Sequence, residues 1–294
     1  MSQHPFETVD VFTSQRFGGN PLAVFPGAVG ISDTDMQRLA AELNLSETTF
    51  VLPPRDAANT ARVRIFNRSH EMPFAGHPMV GTAFVLARWI RDAPDAFRFE
   101  VPAGIVKVRL KRDGAGVHGA DIDAPQSLTL GLQIPGFDIA ASAGIGEADV
   151  VLSNHPPTLA SVGNTYVIAE VTSEGLSRAV PDMAAFRRTR DAFPGLNGRF
   201  SLYLYARNED RINARMFAPL AGTYEDPATG SAATPLAALL LSLSGGDRAS
   251  FDIHQGVQMG RPSLLHTTAY RAADGIRATV GGFCVSVLRG EATL

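Results

Sequence analysis

Arg215-Met216-Phe217 runs into Glu225-Asp226-Pro227-Ala228-Thr229-Gly230-Ser231-Ala232-Ala233 and then into an apolar stretch at 235–243. Earlier in the chain, Arg64-Ile65-Phe66 runs into Gly76-His77-Pro78 and an apolar stretch at 79–90. A strand-like Arg-hydrophobic-Phe segment, a glycine turn and an apolar helix thus occur twice in one order, which reads as a diverged internal duplication. Both helices are apolar on nearly every side, as a helix must be when a sheet wraps most of it. The expected fold is α+β, with two pseudo-symmetric domains, each a curled β-sheet around a central apolar helix. Domains are expected at 1–125, completed by a last strand at 281–294, and at 126–280.

Around these two segments the pattern is mostly β. Residues 8–12 and 22–25 flank the tight loop Phe17-Gly18-Gly19-Asn20-Pro21, and 61–66 alternates apolar residues with Arg62 and Arg64. Further β-rich runs lie at 97–101, 105–110, 117–122, 166–171, 200–205, 212–217, 251–254, 276–280 and 283–288. Helices are fewer. Ser32 is a natural N-cap for a helix carrying Met36, Leu39, Ala40 and Leu43 at helical spacing, and a second helix is expected at 181–190.

Composition removes several classes of function. The net charge of -3 comes with no basic stripe, so no nucleic-acid partner is expected. A single cysteine, Cys284, allows no internal disulfide and fits a reducing compartment, with the cytoplasm the expected location. The segment MSQHPFETVDVF has no basic-then-apolar leader pattern, and the apolar runs fall short of the roughly 20 residues that span a bilayer, so no membrane partner is expected.

Three segments carry chemistry. The acids Glu225 and Asp226 sit on a Pro and Gly turn that opens a buried helix, where backbone N–H groups and the positive end of the helix dipole favour an anion. Thr234 is the expected cap with Pro235 at the first helical position, leaving Gly230 and Ser231 as an anion-binding turn. By the same rule His77 caps the earlier helix and Pro78 opens it, and an imidazole there is held towards its neutral form. In Ser46-Glu47-Thr48-Thr49 a carboxylate stands at a helix-to-strand junction; alone it reads as a surface or capping acid. Asp226 in isolation reads equally as a cap, and a lone histidine as structural. Repeat equivalence with Gly230-Ser231 favours the functional reading for His77.

Other matches fail on context. Gly114-Ala115-Gly116-Val117-His118-Gly119 satisfies G-x-G-x-x-G but lies between strand-like runs rather than opening a helix, so a hairpin loop is expected. The seven histidines lack H-x-H or H-E-x-x-H spacing, and no serine sits in G-x-S-x-G. No metal or nucleotide cofactor is expected.

Val9-Asp10-Val11-Phe12-Thr13 with Gly19-Asn20-Pro21-Leu22-Ala23-Val24, then Ser46-Glu47-Thr48, Gly76-His77-Pro78, the Glu225–Ala232 segment, and Gln255-Gly256 with Gly260-Arg261-Pro262-Ser263 together resemble the phenazine-biosynthesis PhzF-like isomerase family. The resemblance spans nearly the whole chain, in order. It implies the two-domain fold shared with diaminopimelate epimerase, an active site between the domains, no cofactor, and a homodimer. It further implies that Glu47 shuttles a proton, that His77 and Asp226 assist, and that backbone at Gly230 and Ser231 binds substrate. Ser46, Gly76 and Asn20 are implied to line the site. Asn67 to Met72 and His254 depart from the family's usual residues, which puts the substrate contacts there in question.

The function expected is a cofactor-independent isomerase that moves a proton within a small carboxylate-bearing substrate, with Glu47 as base and then acid. Alternatives are an epimerase or lyase acting on an amino or hydroxy acid, and a non-catalytic binding protein of the same fold. Two-thiol racemisation is excluded by the single cysteine.

Overall fold

The computed structural model describes residues 2–114, 116–208 and 211–294, so Met1 of the N-terminal segment and Ala115 of the glycine-rich match lie outside the described residues. Contacts divide the chain into two compact units. One ends at Asp123 and takes back Gly281–Leu294; the other is Ala124–Val280. The first junction falls two residues before the expected position at 125.

The first unit contains β1 (Gln3–Val11), β2 (Asn20–Phe25), α1 (Asp33–Leu43), β3 (Glu47–Leu52), β4 (Ala61–Phe66), β5 (Glu71–Met72), α2 (Gly76–Trp89), β6 (Ala96–Val101), β7 (Gly104–Asp113) and β8 (Gly116–Asp123). β1 and β2 are antiparallel, β2 and β3 parallel, β3 and β4 antiparallel, β4 and β6 parallel, and β6, β7 and β8 successively antiparallel. Of the glycine-rich match, Gly114 follows β7 and Gly116 to Gly119 begin β8, its antiparallel neighbour, so the described residues of the match open a strand and not a helix.

The second unit contains β9 (Thr129–Gln133), α3 (Gly136–Ala143), β10 (Thr158–Ser161), β11 (Thr165–Glu170), α4 (Ser173–Arg178), α5 (Met183–Ala192), β12 (Leu202–Asn208), β13 (Arg211–Ala218), β14 (Thr223–Asp226), α6 (Gly230–Ser244), β15 (Arg248–Gln255) and β16 (Ser263–Ala272). Its ladder repeats the order of directions: β10–β11 antiparallel, β11–β12 parallel, β12–β13 antiparallel, β13–β15 parallel, β15–β16 antiparallel. The last strand, β17 (Gly275–Thr293), begins here, and its later residues pair with β1 from Val11↔Cys284 to Gln3↔Thr293. Because β17 also pairs with β8, the first unit's sheet closes on itself.

Inside that closed sheet, every residue of α2 from Gly76 to Ala87 is buried, and the helix packs on β1, β2, β3, β7 and β8. Gly81 permits the approach: a Cβ there would stand 2.6 Å from Leu22 and 2.8 Å from Val11. In the second unit α6 packs on β10, β11, β15 and β16, with Ala237, Ala238 and Leu241 against Ala269 and Ala278. The outer faces of the sheets carry the remaining helices. Met36 and Ala40 of α1 cover Phe25, Phe50 and Phe66, and α3 and α5 bring Ile139 and Phe186 onto Leu202, Leu204 and Phe217. Ser32 caps α1 as expected, accepting from the Asp35 amide at 3.1 Å.

The sequence echo has a three-dimensional counterpart. Arg64 Nε and Nη2 reach the two oxygens of Glu71 at 2.8 and 2.6 Å, while Arg215 reaches those of Glu225 at 2.8 and 2.9 Å. Each guanidinium also lies over the next aromatic in its strand, 5.0 Å from the Phe66 centroid and 4.9 Å from that of Phe217.

Both central helices begin earlier than expected. Ala75 and Thr229 are the caps, so His77 is the second helical residue and Pro78 the third, while Pro235 lies inside α6. The proline rule misplaced the boundaries for a physical reason. A first-turn proline loses an N–H that has no helical acceptor anyway, so it is tolerated at the third position as well as the first. Pro235 lies deeper and costs one helical bond to the Ser231 carbonyl; packing on all sides of α6 outweighs that loss. Helices α3 and α4 were not expected, being short and without a strong apolar period. Among the described residues, no helix is long and apolar enough to cross a membrane.

Candidate functional site

In the first unit, direction along the sheet decides which side chains meet the helix. Leu22 packs towards Gly81 of α2, and Glu47 is its partner in the parallel β2–β3 ladder, so both point to the helix side. Two residues further, Thr49 confirms the orientation, its hydroxyl lying 2.8 Å from that of Thr82. Glu47 is the first residue of β3 and His77 the second of α2, and Glu47 Oε2 lies 3.3 Å from His77 Nε2. The side chains are 15% and 7% exposed.

Burial pushes the His77 imidazole down to about 3, because a charged ring here would forfeit hydration. The ring is therefore neutral at ordinary pH, and its approach to Glu47 is a polar contact rather than an ion pair. Such a ring can give or accept one hydrogen bond without competing for the carboxylate's proton. Asn20 opens β2, is fully buried and, by alternation from Leu22, faces the same side. Gly76, buried, opens α2 beside His77, and half-buried Ser46 precedes Glu47.

In the second unit the remaining expected residues share the start of α6. Asp226 ends β14, opposite Met216 of β13, and its Oδ2 accepts from the Thr229 hydroxyl at 2.5 Å. Gly230 and Ser231 are the first two residues of α6, where amides precede the helix's own acceptors. The Ser231 hydroxyl is 2.7 Å from that of Tyr166.

Four supporting residues were assigned no role from sequence: Thr229, Gln255, Tyr203 and Tyr166. Gln255 is fully buried and ties the turn together. Its Nε2 donates to the Asp226 carbonyl at 2.8 Å and to Thr229 Oγ1 at 3.0 Å, while its Oε1 accepts from the Thr229 amide at 3.2 Å and the Tyr203 hydroxyl at 3.1 Å. Gly256 follows at φ 74°, where a Cβ would fall 2.4 Å from the Arg261 carbonyl oxygen and 2.6 Å from that of Pro227. The Gln255-Gly256 pair was the available signal, since only glycine fits a left-handed residue pressed between two carbonyls.

The model of the phenazine biosynthesis-like proteins, PhzC-PhzF, matches residues 9–290. The chain belongs to the phenazine biosynthesis-like (PhzC-PhzF) family.

Within this family, trans-2,3-dihydro-3-hydroxyanthranilate isomerase of Pseudomonas chlororaphis is 36% identical, over 99% of this chain and 100% of that one. A solved PhzF-family structure from Bacillus anthracis superposes with a TM-score of 0.90 at 22% identity, covering 100% of both chains. A Pseudomonas aeruginosa protein described as a predicted epimerase gives 0.81 at 32% identity, covering 99% of both. The α+β fold is thus the PhzF fold, and full-length relatives that are named isomerases place this PhzF-like chain among the isomerases. Among its described residues, no group of three or more His, Cys, Asp or Glu side chains could hold a metal ion.

Proposed function

We propose that this PhzF-like enzyme moves a proton between two positions of one small carboxylate-bearing molecule, with Glu47 as the carrier. The observation that supports the reading is the 3.3 Å approach of Glu47 to a neutral His77 at the start of a buried helix. Glu47 takes a proton from a carbon whose C–H electron pair passes into adjacent unsaturation, and His77 holds a polar group of the substrate in register. The proton then returns from Glu47 to another carbon of the same system, so the double bond moves while composition is unchanged. One group acts as base and then acid.

A carboxylate on the substrate fits the first amides of α6 at Gly230 and Ser231, with Asp226 as a neighbouring polar contact held by Thr229. No step is routed through a metal or nucleotide. The relatives' name supplies the first substrate to test, trans-2,3-dihydro-3-hydroxyanthranilate. An epimerase reading keeps Glu47 but returns the proton to the opposite face of the same carbon. Cys284, the one cysteine, lies buried in β17 with its thiol pushed up by burial, and does not serve as an opposed thiol base.

Turnover of that compound and related cyclic carboxylates, followed by NMR, tests the reading. Glu47→Gln keeps the shape but cannot titrate, and is expected to lower kcat by about 10² to 10⁴ while KM changes only a few-fold. Near-normal kcat in the variant would show that another group carries the proton.

A further inference from the structure

A cavity of about 490 Å³ lies on the outer side of the first unit's sheet, away from Glu47 and His77. Val63 and Ile65 of β4 are buried on the helix side, so Arg62 and Arg64, which alternate with them, project to the outer side. Asp33, Glu71, Arg55 and Glu100 complete the polar lining.

The acids in this cavity already have donors. Arg64 takes both oxygens of Glu71 and reaches Asp33 at 2.5 Å. Glu100 accepts from the backbone N–H groups of Asp56 and Arg55 and from the Asn59 side chain, which hold its carboxyl at about 2. Arg55 serves Glu100 through its backbone, so its guanidinium is not consumed by those bonds. Arg62 is the exception among the lining groups: its Nε is shut off from water and meets no hydrogen-bond acceptor among the described residues.

A shielded N–H without an acceptor costs about 1–3 kcal/mol, a cost that an acceptor removes once a turn of the side chain admits it. The second unit resolves the equivalent position differently. Counting from the matched pairs Arg64–Glu71 and Arg215–Glu225, the place of Arg62 is taken by Asn213, whose Oδ1 accepts from Arg211 at 3.0 Å. The spare face of Arg215 donates to the Leu176 and Ala179 carbonyls at the end of α4. Where the second unit uses its own groups, the first leaves a cavity with an unmet guanidinium donor.

We propose that this cavity binds a small dianionic oxyanion, a phosphate or a dicarboxylate, through Arg62 with Arg55 at its rim. A guanidinium presents a planar fork of donors that matches either group, and the cavity is of small-molecule size. The site is separate from the proton-transfer residues and stands whether or not Glu47 is the carrier.

The test is calorimetric titration of the full chain with inorganic phosphate and, separately, succinate, at ionic strength held constant with sodium chloride. At least one anion is expected to bind with one-to-one stoichiometry. Arg62→Leu should weaken that binding at least ten-fold, Arg62→Lys should weaken it less, and Arg55→Ala, on the exposed loop, should weaken it at least two-fold. A response to phosphate alone assigns a phosphate group, and to succinate alone a dicarboxylate. Absence of binding beyond the chloride control, or unchanged affinity in Arg62→Leu and Arg55→Ala, would overturn the proposal.

Discussion

His77 is a titratable residue that the fold holds in its neutral form, and this ties stability to pH. Its imidazole sits at about 3 when folded and near the ordinary histidine value of about 6.5 when unfolded. Between those values the unfolded chain binds the extra proton, so stability is fully present above about pH 6.5 and falls as the pH drops towards 3. The slope contributed by this one group approaches about 1.4 kcal/mol per pH unit. His77→Asn, which cannot titrate, should flatten the dependence between pH 6 and 4 in urea denaturation; an unchanged slope would assign the acid sensitivity to other groups. At Gly230 and Ser231 the expectation concerns charge: if their amides hold the substrate carboxylate, its methyl ester should bind at least about ten-fold more weakly. Equal binding of acid and ester would move the anion elsewhere.

The central helices and the turns before them place these residues, and their tolerances are specific. Gly81→Val would drive a branched side chain into Leu22 and Val11, and should cost at least about 1–3 kcal/mol in chemical denaturation. Gly256→Ala should both destabilise the protein and lower activity, because its left-handed backbone is pressed against the Pro227 carbonyl that follows Asp226. The two Arg–Glu pairs should differ. Arg215 and Glu225 are 7% and 11% exposed, against 15% and 31% for Arg64 and Glu71. Arg215→Leu should therefore cost about 3–5 kcal/mol by stranding a shielded carboxylate, and Arg64→Leu clearly less. Comparable losses for the two variants would contradict the role given to burial.

At the scale of the whole molecule, the repeat of a strand, a glycine turn and a central apolar helix was readable because short sequence marks survive in both halves, whereas the strand directions, set by pairing between distant segments, were not. Arg-x-Phe and the glycine that opens each helix hold positions where only those residue types make the pair, the ring contact and the turn. The pairing of Arg64 with Glu71 and Arg215 with Glu225 was not readable, because the connections differ in length and a carboxylate gives no local sign of its partner. Glu47 shows the same limit: four residues around it describe an ordinary surface acid, and only the β2–β3 ladder and the packing of α2 bring it to His77. Tyr203 and Tyr166 fell within runs read only as strand, since a hydroxyl's partner is set by distant chain. The measurement that bears most directly on the proposed proton transfer is deuterium uptake from D₂O, followed by mass spectrometry during turnover of trans-2,3-dihydro-3-hydroxyanthranilate or the carboxylate found to replace it. While Glu47 holds the abstracted proton it exchanges with solvent, so the wild-type enzyme should place some solvent deuterium on a carbon of the product or recovered substrate, and Glu47→Gln should do so at least about 10²-fold more slowly. Uptake by Glu47→Gln at the wild-type rate would contradict Glu47 as the proton carrier.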